Sequence, residues 1–184
     1  MKKINKGTGI FIIENFLSST ECDQLIIDSE MMGYEDAKVN IDGQQKMLTM
    51  VRNNQRILHV NQELADLYWG KLKPFCSDSI GNSDPLGLNE MFRFYKYTVH
   101  QRFKKHRDGS YIRNDREYSL QTFMIYLNDE FEGGNTLFEE VNIRPKKGDL
   151  LVFKHELKHE GQKIVSGTKY VLRTDVMYRL NANL

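Results

Sequence analysis

At 184 residues, with 40% hydrophobic and 28% charged content, the chain is long enough to close one core and has the composition of an ordinary globular protein. A formal net charge of +1 excludes the strong basic field that draws a protein to nucleic acid or to an anionic membrane. Two cysteines, Cys22 and Cys76, are too few for a disulfide framework or a cysteine metal cluster, and they fit a reducing cytoplasm.

The first stretch, MKKINKGTGIFIIENF, carries lysines and then a short apolar run broken by Glu14. That run is well under the ~7–15 residues of a signal-peptide core, and no segment approaches the ~20 apolar residues of a membrane span. A soluble, cytoplasmic protein is expected. FLSSTECDQLIIDSEM reads as a helix, with Ser18 and Glu21 spaced as a capping box and Leu25, Ile26 and Ile27 as its apolar stripe. Residues 31–58 are polar, and RNNQR at 52–56 reads as solvated surface, in a strand or a loop. NQELADLYWGKLKPF is a second helix, capped by Asn61, with Leu64, Leu67, Tyr68 and Leu72 on one face.

From residue 90 the pattern changes to short strands: MFRFYKYTV, RFKKHRD, SLQTFMIYLN, TLFEE, DLLVFKH and KYVLRTDVMY. Gly109, the Gly133–Gly134 pair, RPKKGD, Gly161 and Gly167 punctuate them. Helices followed by a run of strands predict an α+β domain whose core is a jelly roll, a double-stranded β-helix with the N-terminal helices packed on one sheet. Few prolines and no low-complexity stretch argue against a linker. One domain over 1–184 is expected, helical to about residue 85 and jelly roll over about 86–180.

Within KKHRDGSYI, His106 and Asp108 stand two positions apart, a spacing that puts both side chains on one face of a strand. An imidazole and a carboxylate so placed begin a two-histidine, one-carboxylate iron site, although His-x-Asp alone is common. Two later histidines, His155 and His159, compete as the third ligand. In the last strand, alternation puts Lys169, Val171, Arg173, Asp175 and Met177 on one face. Tyr170, Leu172, Thr174, Val176 and Tyr178 take the other, facing the helices. The charged face either meets solvent or lines a cavity that holds an anion, since charge is rarely buried unpaired.

Four signatures in order, YKYTVHQRFKKHRDGSY, TFMIYLNDEFEGGNTLF, GDLLVFKHELKHEG and GTKYVLRTDVMY, resemble the prolyl 4-hydroxylase-type branch of the Fe(II)/2-oxoglutarate-dependent dioxygenases. The likeness runs from NFLSSTECDQLI to the last strand. It implies His106, Asp108 and His159 as iron ligands, with His155 left to packing. It also implies Lys169 as the base for the far carboxylate of 2-oxoglutarate, and Tyr97, Tyr126 and Thr136 around that co-substrate. Fe(II), 2-oxoglutarate and O2 follow as cofactor and co-substrates, with ascorbate as an accessory reductant. Three protein ligands on one face of Fe(II) leave three positions: two for 2-oxoglutarate and one for O2. The reaction implied is hydroxylation of a substrate with release of succinate and CO2. The presence of Asp108 favours it over halogenation, which needs that position vacant.

Where relatives carry glycines between Tyr97 and Phe103, this chain has Thr98-Val99-His100-Gln101-Arg102. Nothing resembles the separate peptide-binding domain of collagen-modifying relatives, so a prolyl substrate does not follow automatically. Arg173 lies about 13 Å from Lys169 along the strand at ~3.3 Å per residue, too far to share one small carboxylate, and reads as an interior ion pair with Asp175 or another inward acid, or as a substrate contact. Tyr111, Arg113 and Arg116 form a lid, a substrate contact or a solvated loop. The leading expectation is a hydroxylase of a protein or peptide residue, a prolyl residue included. Its rivals are a free amino acid hydroxylase and a non-catalytic jelly-roll sensor that binds metal or an organic acid.

Overall fold

The structure, a computed structural model, describes residues 1–37, 39–41, 44–46 and 53–181; Arg52 of the basic stretch lies outside them. The chain starts with β1 (Lys2–Gly7) and β2 (Ile10–Glu14), then α1 (Ser19–Met32). Next come β3 (Glu35–Asp36), β4 (Val39–Ile41), β5 (Gln44–Lys46), β6 (Gln55–Val60) and α2 (Gln62–Leu72), which runs into a 3₁₀ turn at Lys73–Phe75. β7 (Ser83–Leu88), β8 (Met91–Tyr97), β9 (Phe103–His106), β10 (Ile112–Asn114) and β11 (Glu117–Tyr126) follow. The chain continues with β12 (Phe131–Gly133), β13 (Thr136–Leu137), β14 (Asn142–Ile143) and β15 (Leu150–Lys154). It closes with β16 (His159–Gly161), β17 (Ile164–Gly167) and β18 (Lys169–Leu180).

Two antiparallel sheets make the jelly roll. The larger runs β1-β2-β15-β11-β18-β8-β6-β3, with β10 added to β11 and β7 to β18. The smaller runs β14-β13-β16-β9. Phe11, Ile13, Phe94, Phe123, Leu172 and Val176 turn from the larger sheet to meet Tyr68 and Leu72 of α2. Ile12, Tyr97, Tyr126, Leu151 and Val171 turn the other way, toward Phe138 and Ile143 of the smaller sheet's side. Both helices sit against one face of the larger sheet, so the architecture is α+β as expected.

Ser18 and Glu21 close the capping box of α1, and Asn61 accepts from the Leu64 amide at 2.9 Å to cap α2. Three readings need correction. The first 85 residues are not simply helical, because β1, β2 and β6 belong to the larger sheet. The run Ile10–Ile13 is buried throughout, with alternate residues in the two cores, as a strand covered on both faces requires. In α2, Ala65 completes the buried face and Leu67 is 59% exposed; in α1, Ile27 is likewise exposed. The stretch 52–56 is surface only in part: Gln55 and Arg56 begin β6, which pairs with β8.

Candidate active site

β9 ends at His106, and β16 starts at His159 directly opposite it in the antiparallel register. Cross-strand partners project from the same face, and the two rings lie 4.3 Å apart between centroids. Asp108 sits just beyond the end of β9, and its carboxylate closes the group: one ligand atom from each residue lies within 4.8 Å of the others. His106 Nδ1 is 2.7 Å from the Lys104 carbonyl, and His159 Nδ1 is 3.1 Å from that of Leu157. A carbonyl cannot donate, so each Nδ1 carries a proton and each Nε2 is the ring nitrogen turned toward Asp108. Those Nε2 atoms point at Asp108, 3.6 Å from Oδ1 for His106 and 3.8 Å from Oδ2 for His159. Phe103 stacks on His106 at 3.5 Å, and Phe153 meets the edge of His159 at 4.5 Å, fixing both rings in an apolar collar.

Burial lowers the pKa of His159 to about 4, so the ring is neutral near pH 7. Burial alone would raise Asp108, but the Arg173 charge and the two histidines outweigh it and hold the carboxyl well below its ordinary range. Two imidazoles and one carboxylate on one side of a cavity suit Fe(II) with positions left open.

Lys169 begins β18 opposite Tyr97 and is 4% exposed. Its ammonium donates to the Gly134 carbonyl at 2.5 Å and lies 5.2 Å from the Tyr126 ring and 5.8 Å from the Tyr97 ring. Among the described residues no carboxylate pairs with it, and burial pushes its pKa down to about 7. A buried ammonium with only a carbonyl and ring faces around it fits an anionic ligand. Tyr126 and Thr136 share a hydrogen bond of 2.8 Å. Thr136 is on the cavity wall, whereas Tyr126 stands behind it. The cavity, roughly 710 Å³, has His106, Asp108, His159, Lys169, Tyr97 and Thr136 in its lining, a size that suits a small ligand plus part of a substrate.

The charged face of β18 therefore lines a cavity. Arg173 is an interior ion pair, but its partners extend beyond the neighbouring Asp175: Nη2 lies 3.0 Å from Asp175 Oδ1 and 3.1 Å from Asp108 Oδ2. Asp175 also meets Arg93 Nη1 at 3.2 Å, and His155 Nε2 lies 3.4 Å away. His155 thus sits in this network, not beside His106. The sequence reading missed Thr122, whose hydroxyl donates to Asp108 Oδ2 at 2.5 Å, and Arg93; their alternation in β11 and β8 was the available signal. In the loop after the metal pair, Arg113 binds Glu90 and Arg116 donates to the Leu180 carbonyl at 3.1 Å. Only Tyr111 of the three loop residues reaches the cavity lining. In the run Thr98 to Arg102, His100 takes a left-handed φ of 70°, the conformation glycine adopts without strain.

Residues 92–174 match the family model described as the 2OG-Fe(II) oxygenase superfamily. A protein of Acanthamoeba polyphaga mimivirus that carries a provisional prolyl 4-hydroxylase name is 24% identical over 88% of this chain and 71% of its own. A prolyl hydroxylase from Trichoplax adhaerens, solved with a hypoxia inducible factor oxygen degradation domain peptide, superposes with a TM-score of 0.73 at 20% identity. That match covers 91% of this chain and 83% of the other. The viral collagen prolyl hydroxylase of Paramecium Bursaria Chlorella virus-1, in its 2OG complex, gives a TM-score of 0.64 at 22% identity, over 94% of this chain and 97% of that one. The two structural likenesses establish the fold. The profile match over residues 92–174, which span the strands that carry the site, and the mimivirus relative make the chain similar to the 2OG-Fe(II) oxygenase superfamily and to its prolyl hydroxylase-type members.

Proposed function

We propose that the chain hydroxylates a residue of a protein or peptide, a prolyl residue being the first candidate, with His106, Asp108 and His159 holding Fe(II). The observation that carries this reading is one cavity containing both the His-Asp-His cluster and a buried ammonium, Lys169, that no carboxylate among the described residues pairs. When bound, the iron supplies O2 activation driven by the oxidative decarboxylation of 2-oxoglutarate. The chain's own groups do the rest. Lys169 neutralises the far carboxylate of 2-oxoglutarate, with Thr136 as a hydroxyl donor on the wall and the Tyr97 and Tyr126 rings excluding water. Phe103 and Phe153 keep both imidazoles in one orientation and shield the centre from solvent.

A peptide substrate is supported by the wall that continues outward from Arg93. β6 pairs Leu58 with Arg93 and Val60 with Met91, so the two β6 side chains extend the cavity face; they are 53% and 63% exposed. Charged side chains in the cavity wall favour the second reading, a free amino acid. Most of them are paired with each other, which leaves the apolar strip as the better guide. A cytoplasmic setting, supported by two buried free thiols, and ascorbate as accessory reductant complete the proposal, as does one domain over the whole chain without nucleic acid or membrane as partner. Among the described residues no helix is long and apolar enough to cross a membrane.

The test is succinate formation from 2-oxoglutarate with Fe(II) and O2, against peptidyl-prolyl and free amino acid panels, with and without ascorbate. Substrate-coupled succinate with a prolyl peptide is expected. Coupling only to a free amino acid would transfer the assignment to the second reading, and metal binding with no succinate on any panel would leave a sensor.

A further inference from the structure

The two oxygens of Asp108 differ in what surrounds them. Oδ2 accepts from the Thr122 hydroxyl at 2.5 Å and forms an ion pair with Arg173 Nη2 at 3.1 Å, with His159 Nε2 3.8 Å away. Oδ1 has His106 Nε2 beside it at 3.6 Å and, among the described residues, no hydrogen-bond donor within normal range. Oδ2 is thus engaged by one hydrogen bond and by the Arg173 charge, whereas Oδ1 faces only the His106 ring and stays open to an ion. Arg173 is itself braced. The same Nη2 lies 3.0 Å from Asp175 Oδ1 and 3.3 Å from Thr122 Oγ1. Asp175 is held in turn by Arg93 at 3.2 Å, with His155 at 3.4 Å. Asp175, Thr122 and His155 are buried, and a planar guanidinium between two carboxylates has little freedom to turn.

We infer that Arg173 is a positioning residue for the metal: it clamps Oδ2 of Asp108, so that this side chain ligates through Oδ1 alone. The inference rests on the proposed His106, Asp108 and His159 triad. Its consequence follows from counting positions. A chelating carboxylate with two imidazoles fills four of the six positions of an octahedral ion and leaves two. A carboxylate bound through one oxygen leaves three, the number that a chelating 2-oxo acid and O2 need together. Thr122 does the same work from the other side with a single hydrogen bond. Asp175, Arg93 and His155 act at one remove, by fixing Arg173.

The test uses Co(II) alone as the probe, with the full chain and no co-substrate. Calorimetric titration gives affinity, the visible absorption spectrum of the bound ion reports its ligand arrangement, and thermal unfolding shows which variants fold. Arg173→Met with Asp175→Asn removes one charge of each sign. Thr122→Val keeps the shape and removes one donor. Arg173→Lys keeps the charge without the fork.

Wild type is expected to bind Co(II) near 1:1 and to lose binding on His159→Ala. The double variant should bind about 10–100-fold more weakly, the usual loss when a ligand's supporting partner is removed, with an altered spectrum. Thr122→Val should shift both in the same direction by less, and Arg173→Lys should recover part of the loss. Folded variants with wild-type affinity and spectrum overturn the inference. If the double variant does not fold, an unchanged Thr122→Val overturns it alone. Undiminished Co(II) binding in His159→Ala removes the triad reading, and the inference with it, and is a separate outcome.

Discussion

Lys169 and Arg173 lie four residues apart on one face of one strand, both deeply buried, yet their surroundings are opposite. Arg173 meets two carboxylates and a hydroxyl, and those charges outweigh its burial and raise its pKa above the ordinary arginine range. Lys169 meets a carbonyl and aromatic ring faces, and burial with nothing opposing it lowers its pKa. A buried cation that the chain pairs with its own acids is part of the scaffold, here of the scaffold around Asp108. One left without an acid stabilises nothing until an anion arrives. The same residue chemistry, on the same strand, separates into support and binding according to who supplies the counter-charge.

The largest effect expected comes from removing the acid that answers Arg173. Asp108→Ala should abolish both metal binding and 2-oxoglutarate turnover, because it deletes a ligand and leaves a guanidinium short of one partner. Succinate formation and Co(II) titration check this. His159→Ala should match it, whereas His155→Ala should retain metal binding. The reverse pattern for the two histidines would break the comparison at its root.

Lys169→Met sharpens the other side. Loss of a charge-assisted partner from a buried carboxylate costs about 3–5 kcal/mol, and each ~1.4 kcal/mol is tenfold in binding. The apparent 2-oxoglutarate constant should therefore rise at least about a hundredfold, with Co(II) affinity unchanged. The ligand-free variant should also melt higher than wild type at pH 7. A pKa held at about 7 instead of 10.5 means an unpaired ammonium costing on the order of 5 kcal/mol at ~1.4 kcal/mol per pH unit. A methionine of similar length does not carry that cost.

The same displacement sets a pH dependence. Between about pH 7 and 10.5 the unfolded chain holds the Lys169 proton and the folded chain does not. This group therefore makes ligand-free stability rise with pH across that window; the penalty is complete below about pH 7 and gone above 10.5. Binding runs the other way. A dicarboxylate needs the ammonium, so above about pH 7 a proton must be taken up with the ligand. Affinity for 2-oxoglutarate should fall up to about tenfold per pH unit from there. Calorimetry in buffers of different ionisation enthalpy would show the proton uptake in wild type and none in Lys169→Met. A flat affinity from pH 6.5 to 8.5 would mean that Lys169 is already charged without its ligand.

Much of this was legible in the sequence because the signals are local. The capping box needs two residues three apart, the His106 and Asp108 pair needs two residues two apart, and the charged face of β18 shows in simple alternation. The support around Asp108 was not legible. It depends on β11 lying beside β18 in the register that sets Thr122 opposite Asp175, and no short-range pattern fixes that register. β7, SDPLGL, carries a proline and a glycine; among the described strands it pairs with β18 alone, an edge position where a proline is tolerated. In α2, Ala65 is buried and the larger, more apolar Leu67 is exposed, because which side of the helix meets the sheet is set by tertiary packing and not by hydrophobicity alone.

The smallest expected effect distinguishes two hydroxyls near Lys169. Family resemblance makes Tyr126 a co-substrate residue, but its hydroxyl ends on Thr136 Oγ1 at 2.8 Å, and Thr136 is the one on the cavity wall. Burial keeps the Tyr126 phenol protonated, so it can donate to Thr136 and free the threonine proton for a ligand oxygen. A net hydrogen bond contributes about 0.5–1.5 kcal/mol, which is roughly two- to tenfold in binding. Thr136→Val deletes the group that faces the ligand and should weaken 2-oxoglutarate binding near the upper end of that range. Tyr126→Phe only frees Thr136 from its partner while keeping the ring beside Lys169, and should cost threefold or less on the same scale. Anaerobic titration of the Fe(II) protein with 2-oxoglutarate, followed by the visible band of the complex, resolves the two. A larger loss for Tyr126→Phe than for Thr136→Val would put the tyrosine hydroxyl, and not the threonine, against the carboxylate that Lys169 awaits.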